Sequence, residues 1–377
     1  MSGTSVDGVD VAIVEIEGNW IDTKIKLIGF IDYPYPSGLK ELILSNSVKE
    51  TSNVYDISQL NFLLPRIYSE AFFELLDKIN ISIDDVDLIG SHGQTIHHVP
   101  DPVESFGQLI SSTLQIGDPS VIAKITGVTT IGNFRTADMA LNGQGAPLVP
   151  YFDYLLFHSN ELNRGLLNLR GISNITLLKK GCTQEDVLAF DTGPGNMLID
   201  SLVQRFFDKP FDEDGKISAS GTVNEDLLNA LIVNDNYIEK EPPKSTGREY
   251  YGETFYLNLL DEFIRVNNED WIATVTEFTS YVIYRNYEKF IQPEAELNEL
   301  LISGGGVNNK ELINKTHERF GNSVDVKVID EIGVSADAKE AICFAVLANE
   351  TISGNTANIP RTTGAERATI LGQIYLP

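Results

Sequence analysis

Apolar positions recur along the chain with two periods. Short apolar runs closed by glycine or polar residues read as buried strands. Apolar residues three and four apart over a dozen positions read as helices. Strands are expected at 11–16 and 24–33, which pair naturally, then at 87–90, 128–134, 166–170, 175–179, 187–190, 300–303 and 324–329. Helices are expected at 37–49 and 56–79, in a segment ending near 126, and at 195–208, 223–233, 253–267, 270–292 and 335–350. Pro65 should kink the second of these. Strands alternate with helices, so the class is α/β. The glycine-rich stretch 141–148 reads as a hinge, which puts a domain boundary near residue 135.

The most informative stretch is Asp191-Thr192-Gly193-Pro194-Gly195-Asn196. An apolar run leads into it and an apolar helix follows. A strand, a tight turn and a helix N-terminus would set Asp191 where open α/β sheets bind ligands. The glycines let a sugar or phosphate approach the backbone, and helix N–H groups attract anions. An ordinary turn with an aspartate cap fits the hexapeptide equally well. Apolar-Asp-Thr-Gly is also the signature of an aspartic protease, but that chemistry needs two such carboxylates and the chain has one copy.

Other segments carry chemistry too. The N-terminal run from Met1 to Asp10 is small and hydroxyl-rich, suited to wrapping a phosphate tail; Asp7 and Asp10 could hold Mg²⁺. A flexible polar terminus is the plainer reading. His92 ends a short strand and is either a substrate contact or a hydrogen-bonded core histidine. His97 and His98 point opposite ways on extended chain and make no metal pair. Arg135, at a strand end, suits a carboxylate, or it pairs with Asp138. Asp212-Glu213-Asp214-Gly215 lacks the later ligands of a calcium loop and reads as a turn. Lys244 and Arg248 flank a polar stretch after Pro242-Pro243 and either meet an anion or lie in a surface connection. Gly304-Gly305-Gly306 leads from a strand into a helix and leaves room for a flat ring or ribose.

Composition narrows the partners. The 377 residues suffice for one large or two medium domains, and 42% hydrophobic with 22% charged residues is ordinary for a soluble globular protein. A net charge of −26 argues against non-specific nucleic-acid binding and against an anionic membrane surface. Phosphate ligands would then need local neutralisation by a metal, helix N-termini or a few cations. The two cysteines, Cys182 and Cys343, form no metal spacing and no disulfide framework, which suggests a reducing cytoplasm. No signal peptide or membrane-length apolar run is expected.

The order of these segments is more specific than any one of them. The stretches 1–10, 90–100, 113–119, 133–150, 189–200, 241–249, 303–309 and 338–345 together resemble the anhydro-N-acetylmuramic acid kinases, particularly those of Gram-positive bacteria, within the superfamily of sugar kinases and actin. The resemblance implies two RNase H-like domains, 1–134 with about 345–377 and 135–344, with the active site in a cleft between them. It implies ATP and Mg²⁺ as cofactors, and opening of a 1,6-anhydro bridge with phosphorylation of O6, in cell-wall recycling. Asp191 falls at the family's general base. Gly3, Thr4, Ser5, Val6, Asp7, Gly8, Val9 and Asp10 fall at its phosphate loop, with Gly193 at the second turn. Gly304, Gly305, Gly306 and Asn308 fall at its adenosine site. Glu340, supported by Asp7, matches its metal-binding acids, and His92, Gln94, Arg135 and Asp138 its substrate positions. A cytoplasmic homodimer is the implied state.

Three departures stand out. The family carries a short apolar strand before the Gly-Thr-Ser turn, where this sequence starts inside the turn; an unpaired sheet edge is the expected result. Arg170 and Asn142 stand where the family has glycines. Two alternatives therefore stay open: a kinase for a smaller anhydrosugar such as levoglucosan, and a catalytically weakened sugar- or nucleotide-binding protein.

Overall fold

The protein is described here by a computed structural model covering residues 1–3, 6–329 and 338–377. It divides into two compact units, residues 1–156 with 338–377 and residues 157–337. The first boundary comes later than 135 because the 141–148 loop is fastened to the C-terminal segment. Gln144 donates its N–H to the Thr363 carbonyl (2.7 Å), and Glu366 donates to that of Leu141 (2.9 Å).

The second unit holds one five-stranded sheet. Its strands are β7 (Arg164–Leu169), β8 (Ile172–Leu178), β9 (Leu188–Pro194), β10 (Glu299–Ser303) and β11 (Asp325–Val328), in the order β11-β10-β7-β8-β9. The first three form an antiparallel meander; β10 runs parallel to β7, and β11 parallel to β10. This is the order and polarity of an RNase H-like sheet. Every residue of β10 is buried, as its unbroken apolar run demands for a central parallel strand. The helix Asn268–Asn286 packs Ile272, Val275, Phe278 and Val282 into the same core as Leu167, Ile175, Phe190 and Leu300. The helix expected over 253–267 is broken into a 3₁₀ turn, Glu253–Phe255, and a short helix, Leu257–Glu262.

The first unit contains β1 (Gly8–Glu17), β2 (Lys24–Pro34), β3 (Ile89–Gly90), β4 (Gln94–Ser105), β5 (Gln108–Ile116), β6 (Thr130–Gly132) and β12 (Gln373–Tyr375). β1 and β2 form one antiparallel pair, and β12-β6-β3 a separate three-stranded sheet. No ladder joins β1 to β3 among the described residues. A cavity of about 120 Å³ lies against both, lined by Val9, Val11, Ile13, Leu88, Ile89 and Ile122 among others. β4 and β5 make a ribbon of their own, turning through Phe106 (φ 51°) and Gly107 (φ 77°). That ribbon has no counterpart among the strands expected from the apolar pattern.

The helix Val54–Ile79 runs through Pro65. Proline cannot donate to the carbonyl four residues back, that of Asn61. Asp118 supplies the donor instead (N···O 3.0 Å), and Gly117 donates to the Asn61 side chain (2.9 Å). The last long helix is Lys339–Ser353; positions 335–337 of the expected helix lie outside the described residues.

Candidate active site

Asp191 lies within an edge strand, not after it. The β8–β9 ladder continues to Ile172–Pro194, and a bulge shifts the register between Ser173–Gly193 and Asn174–Asp191. Bulges re-aim side chains beside sites. Hydrogen bonds with the 237–246 segment hold the residue. Its N–H donates to the Lys244 carbonyl (3.1 Å), its carbonyl accepts from Tyr237 Oη (2.9 Å), and its Oδ2 accepts from the Thr246 N–H (2.9 Å). The side chain is half-buried, so the carboxylate is ordered and still reachable.

The turn that follows is laced to the one between β7 and β8. Gly195 and Met197 donate to the Gly171 carbonyl, and Asn196 to that of Arg170 (2.7 Å). A Cβ on Gly195 would meet the Arg170 oxygen at 2.0 Å, so glycine is required there. Gly193 has φ 145°, and a Cβ would strike Val282. Arg170 itself has no positive φ and serves through its carbonyl, so a side chain is accommodated at that family-glycine position. Asn142 does take the left-handed conformation (φ 63°), which asparagine tolerates.

Gly304, at the end of β10, has φ 87°, and a Cβ would meet the Leu169 oxygen at 2.5 Å. Gly306 is equally tight against Leu169, whereas a Cβ on Gly305 finds open space. Gly305 and Asn308 line a cavity of about 260 Å³ with Asn196, Asp200, Phe211 and Asp212. Asn196 belongs to the most informative stretch of the sequence and Asp212 to the acidic run read as a turn, neither with a site role; Asp200 and Phe211 are not singled out by the sequence. Asn196 Oδ1 is buried with no hydrogen-bond partner among the described residues. Asp200 is pushed up to about 7 by burial and by the Asp212 charge. Asp212 caps the next helix, accepting from the N–H groups of Ile217 and Ser218; the acidic run is the turn expected.

In the first unit Ser2 Oγ donates to Gln94 Oε1 (2.5 Å) and lies 3.0 Å from the Gly8 carbonyl, and Gln94 donates to the Gly3 carbonyl (3.4 Å). Val6 is buried at φ 53°, an outlier for a β-branched residue. Such strain clusters at binding turns. Gly8 packs so closely that a Cβ would meet the Tyr33 carbonyl at 2.5 Å; Val9 is buried beside it. Thr4 and Ser5 lie outside the described residues. The Asp7 side chain is exposed. Asp10 and Glu340 both act on the Met1 ammonium, which burial lowers to about 6 and the two carboxylates support. Asp10 and Glu340 are both partly buried carboxylates, a donor type that suits Mg²⁺, which keeps several other ligands from water and phosphate. No cluster of three or more metal-ligating side chains occurs among the described residues.

Arg135 Nε and Nη2 reach His92 Nε2 (3.1 and 2.9 Å), and Nη1 donates to the Gly145 carbonyl (2.8 Å). His92 Nε2 is then the acceptor, and Nδ1–H faces the Gly93 carbonyl at 3.0 Å. Burial, with the Arg135 charge, holds His92 well below the usual imidazole range. Its ring stacks on Phe344. Asp138 is fully buried and accepts from the Gly145 N–H, Asn358 and Thr363, so it anchors the 141–148 loop. Arg135 and Asp138 are therefore each engaged elsewhere rather than with one another.

A family model described as anhydro-N-acetylmuramic acid kinase matches residues 1–377. Proteins named anhydro-N-acetylmuramic acid kinase from Caldanaerobacter subterraneus subsp. tengcongensis and Clostridioides difficile are 44% and 45% identical, over 100% and 99% of this chain and 96% of each relative. One from Bacillus cereus is 46% identical, over 100% of this chain and 98% of its own length. With full-length matches of this kind, the chain belongs to the anhydro-N-acetylmuramic acid kinase family.

Proposed function

We propose that the protein opens the 1,6-anhydro bridge of anhydro-N-acetylmuramic acid and phosphorylates the freed O6, giving N-acetylmuramic acid 6-phosphate in cell-wall recycling. Membership of the family makes it a phosphotransferase acting on a sugar hydroxyl. The observation that carries the residue roles is the Asp191 carboxylate, half-buried and bonded by the Thr246 amide. A carboxylate that accepts an N–H keeps its direction.

In this reading Asp191 takes a proton from a water whose oxygen bonds to the anomeric carbon. The C1–O6 bond breaks, and O6 bonds to the γ-phosphorus of ATP as the bond to the β-phosphate oxygen breaks. The backbone N–H groups around Gly3 and Gly8, braced by Ser2 and Gln94, would meet the phosphates. Asp10 and Glu340, with Asp7, would hold Mg²⁺, which supplies charge neutralisation on the phosphates. Gly305 and Asn308 line a cavity that would take adenosine, and Gly304 and Gly306 hold the turn that carries them tight against Leu169. Arg135, steadied by His92, offers its remaining N–H groups to the lactyl carboxylate. A cytoplasmic homodimer is part of the same proposal.

The test is Asp191→Asn. Sugar-dependent ADP release should vanish while the melting temperature stays within about 2 °C of the parent. Turnover at the parental rate would remove Asp191 as the base.

A further inference from the structure

Lys244 is only 4% exposed, an unusual place for an ammonium group. Its Nζ lies 4.7 Å from the ring centroids of both Tyr237 and Phe290 and 5.5 Å from that of Phe190. It also donates to the carbonyl oxygens of Tyr237 and Ile238, at 3.3 Å each. Three aromatic rings and two carbonyls thus receive one cation, the arrangement by which aromatic cages hold ammonium ligands. Here the guest is the chain's own side chain.

The cage is joined to Asp191 through the backbone. The Lys244 carbonyl accepts the Asp191 N–H, and Thr246, two residues on, donates to the Asp191 carboxylate. The cage wall contributes as well, because Tyr237 Oη donates to the Asp191 carbonyl. β9 is the edge strand of the sheet, and the Lys244 and Thr246 bonds tie the 241–246 segment to it.

We propose that Lys244 is a positioning residue: its ammonium, lodged among Phe190, Tyr237 and Phe290, pins the 241–246 segment to β9 and so keeps the Thr246 N–H on the Asp191 carboxylate. The functional half of this rests on Asp191 being the base. Loss of the anchor frees the Thr246 amide, and a carboxylate that loses an N–H donor rises in pKa. The acid limb of the rate profile then moves to higher pH. An alkaline limb has the same origin. Burial lowers Lys244 to about 8; Asp235 and Glu239 favour its charged form, while Lys289 and Lys240 oppose it. Tyr250 and Tyr251, on the Asp235 side, are raised by burial and stay neutral through this range. Above the Lys244 pKa the cage loses its cation and the segment its hold.

The test compares the full-length parent with Lys244→Met and Lys244→Arg, using anhydro-N-acetylmuramic acid, ATP and Mg²⁺. Three readouts are taken: kcat against pH, KM for the sugar, and amide exchange at Thr246. Lys244→Met should lose about 10- to 100-fold in kcat with little change in KM, shift the acid limb upward and speed exchange at Thr246. Lys244→Arg keeps its charge at all working pH values and should lack the alkaline limb near pH 8. The proposal is overturned if Lys244→Met leaves both limbs and Thr246 exchange unmoved, or if it does not fold and Lys244→Arg keeps the parental alkaline limb. An active Asp191→Asn enzyme would instead sink the base assignment. Accelerated Thr246 exchange in Lys244→Met would still report the anchor.

Discussion

At the scale of single residues, Gly305 and Gly304 separate two reasons for a glycine. Gly304 is fixed by backbone geometry, with φ 87° and a carbonyl in the way of any Cβ; Gly304→Ala should cost about 1–3 kcal/mol in urea unfolding. Gly305 has open space beside it, so Gly305→Ala should leave the unfolding curve unchanged. If adenosine lies there, the same methyl group raises KM for ATP on the order of fivefold. A fold-neutral variant with parental KM would place the nucleoside elsewhere. Asp200 gives a titration to follow. Its folded pKa, about 7, lies above the ordinary 3.8, so it withdraws stability as pH rises from about 4 to 7. Asp200→Asn should therefore match the parent near pH 4 and exceed it by roughly 1–3 kcal/mol at pH 8. The Asp191 turn and the Gly304–Gly306 turn were both legible as local motifs. The contacts of Asp191 were not, because Tyr237 and Thr246 are 46 and 55 residues away in sequence.

At the scale of elements, apolar runs revealed the strands buried on both faces, such as β10. They did not reveal the β4–β5 ribbon, where Gln94 to Ile116 carries histidines, serines and glutamines and turns through a phenylalanine in left-handed conformation. Pairing of that kind is set by the partner strand and leaves little trace in hydrophobic periodicity. Pro65 shows the same limit. The sequence marks the missing donor but not the Gly117–Asp118 turn that replaces it. Asn61→Ala should strand the buried Gly117 N–H and cost about 1–3 kcal/mol, measured as a lowered urea midpoint at unchanged slope.

At the scale of the whole molecule, the charge of −26 acts against compactness. Raising NaCl from about 20 to about 200 mM should raise the melting temperature by screening that repulsion. Acid works through histidine as well. His92 is held well below 6.5 by burial, and His98 is lowered to about 4. The unfolded chain takes up protons below about 6.5 that these rings refuse, so their contribution falls as pH drops through that range. His98→Asn should flatten part of that acid dependence.

Two of the first unit's three sheets, β1-β2 and β12-β6-β3, share a cavity but no ladder among the described residues, whereas the second unit's five strands form one continuous sheet. Sheets with no ladder between them do not brace one another through hydrogen bonds, and they breathe separately. Amides of the β1–β2 hairpin should thus exchange with deuterium well before those of β7 and β10. Since that hairpin carries the loop offered to the phosphates, added nucleotide should slow its exchange first, making substrate the clamp for the softest part of the enzyme.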